Sequence, residues 1–377
     1  MTQTTRKVLK SIFITLACII LALILIVGSY ALYLTCQYYR IDDNLEITTE
    51  NNSSNLLSLD TSYKITTYNI GFGSYTQDFS FFMDTGVMKG TGQKTHGTGS
   101  RAKSKESVLT CTEGAANQIA AQNADIMLFQ EVDTESHRSH FVNQYQMLTD
   151  EFTNYGTNFA SNFHSGYLFY PFSNPHGKVN SGIATYSKFK IDSTVRRTFP
   201  IDESFPNKFF DLDRCFTINK MPIQGTEKCL VLINLHMSAY DEGGVYRAKQ
   251  LKMLFEYVAA EYAQGNYVIA GGDWNHDIAG TKDYFPTDEE VPNWVGVIDE
   301  SELPTGFSFA TAKNVPTCRS TDIVYTKKDD GTLVNYSVVL DGFLISGNVT
   351  AELNQNIDTD FKYSDHNPAY MQFKLNV

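Results

Sequence analysis

The sequence predicts a mixed α/β layered domain standing behind a single membrane-spanning helix. Three observations predict it. An uninterrupted apolar run lies near the N-terminus, short apolar strand patterns recur with polar or glycine-rich residues closing each one, and amphipathic helical patterns sit between some of them. With 377 residues, 42% hydrophobic and 13% aromatic, the chain has enough apolar material for one large domain or two average ones.

The first element is the run from Ser11 to Leu34, with no charged residue between Ser11 and Tyr39. About 24 residues at ~1.5 Å each make roughly 36 Å of helix, enough to cross a hydrocarbon core of about 30 Å with some tilt. Arg6, Lys7 and Lys10 precede it, and Arg40, Asp42, Asp43 and Glu46 follow it. The positive-inside rule therefore puts residues 1–10 in the cytoplasm and the remainder of the chain outside. A cleaved signal peptide is the rival reading, and it calls for about 7–15 apolar residues ending in small ones. Here the run is longer and ends Ala31-Leu32-Tyr33-Leu34-Thr35-Cys36, a poor cleavage site, while Tyr33, Tyr38 and Tyr39 suit an interfacial aromatic belt. The expectation is an uncleaved single-pass anchor over residues 11–35. Residues 36–61 are polar with weak periodicity and read as a flexible stalk, with the folded domain over residues 62–377.

Strand patterns follow at Tyr63–Ile70, Asp125–Gln130, Ser181–Ser187, Cys229–Leu235, Tyr267–Ala270, Ser337–Leu344 and Ala369–Leu375, by period and by β-branched or aromatic content. Val108–Gln122 and Ala248–Gln264 place apolar residues three and four apart, as helices do. Thr85–Lys105 is rich in glycine, holds five Lys or Arg residues and no acid, and reads either as a solvated loop or as a basic flap beside an anionic substrate.

Charge narrows the function classes. The net −12 includes three basic groups and no acid in the first 35 residues, which leaves −15 on the rest. So acidic a body disfavours tight bulk attraction of a long polyanion, while leaving room for a local basic lining. Six cysteines are too few for a disulfide-built scaffold of this length. Cys215 and Cys229 flank a hairpin turning through Met221–Gly225, where a bridge is one of the options.

Polar groups of a particular kind end the strand patterns: Asn69, Glu131, His236, Asp273 with Asn275, Asp341, and Asp365 with His366. Taken singly, each has a structural explanation as a turn, cap or solvated residue. Together they gather carboxylates, amides and histidines where apolar strands end, as a sheet-based active site requires. Hard oxygen ligands such as Glu131 and Asp365 suit Mg²⁺ or Mn²⁺, and no clustered cysteine–histidine set argues for zinc. A histidine with a carboxylate partner moves protons near neutral pH, and fixed amides or a second histidine hold charge on phosphoryl oxygens. This chemistry fits hydrolysis of a phosphate ester.

Asn69 in Tyr68-Asn69-Ile70, Gln130-Glu131, Asn234-Leu235-His236, Gly271-Gly272-Asp273-Trp274-Asn275 and Ser364-Asp365-His366-Asn367-Pro368 occur in that order. The set resembles the signature blocks of the endonuclease/exonuclease/phosphatase superfamily, over about residues 63–377. The resemblance implies a four-layer α/β/β/α sandwich with two central mixed sheets and the site at one edge. It implies that Glu131 binds a divalent metal, helped by Asn69 and by Asp365, and that His366 paired with Asp341 acts as general base or phosphate stabiliser. It further implies that Asp273 orients or deprotonates the attacking water, Asn275 contacts the phosphate, and His236 assists the phosphate or leaving group. Arg138 and Asn180 are the substrate-binding candidates, a surface salt bridge being the alternative for Arg138. Tyr167–Phe172 with His176-Gly177-Lys178 matches no family block and reads as core packing, an apolar rim for lipid, or a stacking surface. The expected function is a membrane-tethered, extracytoplasmic phosphodiesterase acting on nucleic acid or phospholipid, with a phosphomonoesterase as the alternative within the same class. A non-catalytic binding protein on the same scaffold is the alternative from another class, disfavoured because Glu131, Asp273 and His366 are all present.

Overall fold

The computed structural model describes residues 2–210, 212–239 and 244–377. Helix α1 (Gln3–Gln37) is capped by Thr2, whose hydroxyl accepts from the Thr5 N–H at 3.3 Å. It is long and apolar enough to cross a membrane, and its most apolar stretch has no buried residue. A helix whose apolar stretch is exposed all round is not a core helix.

Seven strands build the first sheet: β1 (Leu45–Ile47), then, after Ser62–Asn69 (β2), Ile126–Asp133 (β3), Gly156–His164 (β4) and Asn180–Ser187 (β5), come β6 (Ser193–Thr198), β7 (Cys215–Pro222), β8 (Cys229–His236), β9 (Tyr267–Asp273), β10 (Phe307–Ala310) and β11 (Asp341–Ser346). Its order is β1-β6-β7-β8-β9-β11-β10. The second sheet adds β12 (Val349–Asn356) and β13 (Ala369–Leu375), in the order β12-β13-β2-β3-β5-β4. Both sheets are mixed: β8 runs parallel to β9 and β2 to β3, while other neighbours are antiparallel.

The two sheets pack face to face. Ile65, Leu128, Met371 and Phe373 of one meet Leu230, Leu232, Ile269 and Phe343 of the other in a shared core. Intervening residues face outward: Val231, Ile233 and Val268 pack beneath Leu251, Leu254 and Val258 of α4 (Val245–Ala263), and Met127 and Phe129 pack beneath Ala115 and Ile119 of α2 (Lys105–Ala120) and Leu148 of α3 (Gln144–Glu151). Burial on both faces explains why these strands read as nearly continuous apolar runs rather than alternating ones. The result is the expected α/β/β/α sandwich.

Two expectations are corrected, and one open option is decided. Residues 36–61 are not a free stalk: β1 pairs with β6, Glu50 and Thr157 exchange backbone hydrogen bonds of 2.8 and 2.9 Å, and Leu57 is 0% exposed in the inter-sheet core. A three-residue strand and the short Leu56-Leu57-Ser58-Leu59 cluster carry too little periodicity to be seen. Cys215 and Cys229 do not bridge, because they open successive antiparallel strands. Cys229 lies opposite Pro222 and Cys215 opposite Thr198, at the far end of the hairpin, and all six cysteines are free. The pattern at Ser337–Leu344 begins four residues early, since Ser337–Val338 belongs to a separate two-stranded ribbon with Cys318–Arg319.

Candidate active site

The site lies where β2, β3, β8, β9 and β11 present one end of the two sheets. Buried amides tie the sheets there: Gln130 Nε2 donates to Asn234 Oδ1 at 2.8 Å, and Asn234 Nδ2 donates to the Ala184 carbonyl at 2.9 Å. In β9, Gly272 (φ 149°) lies so close to β8 that a Cβ there would fall 2.0 Å from the Leu235 carbonyl oxygen. Only glycine permits that approach, which sets Asp273 directly opposite His236.

Asp273 is the hub. Its Oδ2 accepts from Asn69 Nδ2 at 2.9 Å, its Oδ1 accepts from the Asn275 N–H at 2.8 Å, and the Nε2 atoms of His236 and His366 stand 3.4 and 3.7 Å from Oδ2. The two histidines are driven in opposite directions. Burial, then the positive charges of Arg214 and His366, holds His236 well below the usual imidazole range. The Asp341 carboxylate, 2.8 Å from His366 Nδ1, holds His366 well above it against the cost of burial. A neutral and a charged imidazole therefore flank one carboxylate.

Glu131 and Asn275 both hold left-handed backbone, at φ 54° and 48°. At Glu131 the pairing of β3 with β5 slips between Phe129 and Val132, a bulge that re-aims the side chain from the strand into the site. Asn69 Nδ2 also reaches Glu131 Oε1 at 3.3 Å, while its Oδ1 accepts from the Gly71 N–H at 3.0 Å. Asn69 thus steadies Glu131 and Asp273 through its amide nitrogen. Burial, followed by the neighbouring Glu131 charge, pushes the Asp365 carboxyl up to about 7, against the lowering pull of His366 and Arg319. Two crowded carboxylates of this kind are stabilised by a bound hard cation, so the donor set fits Mg²⁺ or Mn²⁺. Asp273, Asp341 and His366 also bring ligand atoms within 4.8 Å of one another. Within that trio, Asp341 Oδ2 lies 2.8 Å from His366 Nδ1.

Glu131, His236, Asp273, Asn275, Asp365 and His366 line a cavity of about 750 Å³. Its wall is otherwise largely apolar, with Phe81, Phe163, Leu168, Tyr170, Phe210 and Leu212 among its residues.

The sequence model of the endonuclease/exonuclease/phosphatase family matches residues 66–366. The chain belongs to that family. Comparison with curated proteins finds no match. Among solved structures, the fold is similar to an endonuclease/exonuclease/phosphatase from Beutenbergia cavernae (TM-score 0.53, 14% identity, 84% of this chain and 72% of that one). It is similar to a family protein from Leptotrichia buccalis (TM-score 0.51, 15% identity, 83% and 99%) and to D. rerio TDP2 in complex with a single-strand DNA product (TM-score 0.50, 15% identity, 84% and 100%). Members of the endonuclease/exonuclease/phosphatase family generally hydrolyse phosphoester bonds and generally depend on a divalent metal.

Within this family fold, the candidates separate. His236, Asp273, Asn275, Asp341, His366, Asn69, Glu131 and Asp365 converge. Arg138 reaches the cavity wall, but it is buried, forked onto Asp133 at 2.9 and 3.1 Å and stacked 3.9 Å from the Phe72 ring centroid. It is an internal ion pair rather than the surface one expected as its alternative. Asn180 is not brought to the site: it opens β5, and its Nδ2 donates to the Glu135 carbonyl at 2.9 Å, tying the start of that strand to the loop after β3. Sequence reasoning missed Arg319. It is buried in the cavity wall, its Nη1 donates to the Ser320 carbonyl at 3.1 Å, and its Nε and Nη2 have no hydrogen-bond partner. A lone arginine in Thr317–Thr321 carries no periodic signal that could have marked it.

Proposed function

We propose that this chain is a divalent-metal-dependent phosphodiesterase, held to a membrane by α1 with its catalytic domain on the extracytoplasmic side. The observation that carries the reading is Asp273 flanked by a neutral and a charged histidine, beside Glu131 and Asp365 in one cavity. Glu131 and Asp365 would hold the metal, with Asn69 positioning Glu131. The ion would supply positive charge to a phosphoryl oxygen.

The chain's own groups do the rest. Asp273 Oδ2 is the acceptor that orients the attacking water and takes its proton. The charged His366, fixed through Nδ1 by Asp341, offers Nε2–H to a phosphoryl oxygen. Arg319 brings two further donors to the same wall, and neutral His236 is placed to bond the leaving oxygen. Water adds to phosphorus, the opposite phosphorus–oxygen bond breaks, and the departing alcohol carries away the equivalent of the proton the water gave up to Asp273, which is left as the carboxylate again. Preorganised donors in a wall that excludes water are worth most where charge develops.

The test is turnover of bis-nitrophenyl phosphate by the full chain in detergent, with Mg²⁺, Mn²⁺ or EDTA, with His366→Ala alongside. Activity removed by both EDTA and His366→Ala supports the reading. A folded protein that binds no divalent ion and turns over nothing overturns it. A nucleic-acid phosphodiester is the second reading, favoured by the similarity to a fold solved with a DNA product. It predicts hydrolysis of DNA or RNA with a steep salt dependence.

A further inference from the structure

Two ladders of aromatic rings run from α1 toward the cavity. On one side, Tyr30 packs edge-on against Phe169 with ring centroids 5.2 Å apart, and its hydroxyl donates to the Tyr167 carbonyl at 3.1 Å. The Tyr33 hydroxyl accepts from the Tyr167 N–H at 2.9 Å. Phe169 leads to Tyr170, which lies 6.0 Å from Phe172 and 5.7 Å from Phe82, both centroid to centroid, and lines the cavity. On the other side, Tyr38 packs edge-on against Phe209 at 5.7 Å, and Phe209 against Phe205 at 5.6 Å. The adjoining Phe210 and Leu212 line the cavity as well. Leu34 is the one buried residue of α1, and it is buried against Phe163, Leu168 and Phe209.

The outer ends of these ladders are bare. Phe172 is 85% exposed, Phe205 68% and Tyr170 58%, with Phe169, Phe210 and Met83 about half exposed beside them. Exposed aromatic side chains at the ends of both ladders signal an interaction surface rather than a folding requirement. What covers them is set by α1. Its apolar run ends at Leu34, so a bilayer crossed by this helix has its interface near Tyr30 and Tyr33. Phe169 touches Tyr30 and therefore lies at the same depth.

We propose that this rim docks on the leaflet at the C-terminal end of α1, so that the cavity opens onto the membrane and its substrate is a phosphodiester lipid of that same bilayer. This rests on the phosphodiesterase reading above and on α1 spanning the membrane, and it names the substrate class. The apolar wall formed by Phe163, Leu168, Tyr170, Phe210 and Leu212 takes the lipid's apolar part, and the phosphate reaches the Asp273 cluster and Arg319. Water adds to phosphorus and one ester phosphorus–oxygen bond breaks. That oxygen leaves as an alcohol with a proton, and the other product is a phosphomonoester. The body's −15 charge fits a single phosphate held locally better than a long polyanion.

The experiment uses the full chain reconstituted in phosphatidylcholine–sphingomyelin vesicles with Mg²⁺. Five substrates are followed: the vesicle lipids, free glycerophosphocholine, bis-nitrophenyl phosphate, DNA and RNA. The expected result is turnover of vesicle lipid well above that of the free headgroup ester. Phe172→Ser combined with Phe205→Ser should lower lipid turnover at least about tenfold and leave bis-nitrophenyl phosphate within about twofold, since neither residue lines the cavity. Independently of activity, Phe172→Trp and Phe205→Trp fluorescence should be quenched by lipids brominated on their acyl chains, while Val377→Trp, beyond the far end of β13, should not. Lipid turnover untouched by the double substitution, absence of quenching at both rim positions, or hydrolysis of DNA or RNA with the lipid left intact each overturns the proposal. If the wild-type protein fails on bis-nitrophenyl phosphate as well, the phosphodiesterase reading has failed, and the quenching still decides the docking.

Discussion

Leu57→Ala distinguishes a free stalk from a packed segment. Leu57 is 0% exposed in the core between the two sheets, its N–H donates to the Pro222 carbonyl at 3.3 Å, and its carbonyl accepts from the Gln224 N–H at 2.7 Å. The substitution keeps both backbone bonds and removes three carbon groups, worth roughly 2.4 kcal/mol at about 0.8 kcal/mol each. The cavity left behind adds to this, so the expected loss is ~3 kcal/mol, inside the range of about 2–5 kcal/mol for such truncations. Leu56→Ala, at a neighbouring exposed position, should cost less than ~0.5 kcal/mol. The assay is urea unfolding of the full chain in detergent micelles, followed by tryptophan fluorescence. Trp274 is fully buried against the sheet and α4 and reports loss of the core. The midpoint should fall with the slope unchanged. Equal midpoints for Leu57→Ala and wild type would refute the packing of this segment and restore the stalk.

Glu131→Gln should weaken Mg²⁺ binding by at least about tenfold in calorimetry, because it removes a charge from the hard-oxygen set; unchanged affinity would remove Glu131 from the metal site. Arg319→Ala should lower kcat/KM by about 10²-fold through loss of charge-assisted donors, whereas Asn180→Ala should stay within about twofold. The reverse ranking would contradict the assignment of these two residues. Glu289 is buried and accepts from Ser320 Oγ at 2.5 Å and the Tyr336 N–H at 2.8 Å, and burial pushes it up to about 7. Its protonated form is therefore the one favoured by folding: that stability is full below the ordinary value of 4.5 and is lost as pH rises through about 7. The gap is worth on the order of 3 kcal/mol, so Glu289→Gln should match wild type near pH 5 and gain up to that amount by about pH 8. A stability difference that is flat across this range would show that Glu289 does not titrate there.

Much of the fold was legible because burial on both faces writes itself into the sequence. Met127, Leu128 and Phe129, or Val231, Leu232 and Ile233, form continuous apolar runs since alternate residues enter different cores. The eight residues that converge were legible for a related reason: Asn69, Glu131, His236, Asp273 and Asp365 sit where those runs stop, and strand ends are where a layered sheet exposes chemistry. The apolar run of α1 likewise needs no tertiary context, because length and hydropathy alone make it suitable for a membrane.

Register and long-range contact decided the remainder. Whether Cys215 could meet Cys229 depended on which rung of an antiparallel pair each occupied. Arg138 and Arg319 are alike in sequence, yet the fold gives one a bidentate aspartate and leaves the other with free donors in the cavity wall. Asn180 was tied to the loop after β3 by a carbonyl 45 residues away, and Leu57 was drawn into a core by strands more than 150 residues distant. Burial, with Arg214 nearby, holds His236 low, whereas Asp341 lifts His366 against the same burial. Such properties are sums over neighbours in space, and a sequence specifies its own neighbours only along the chain.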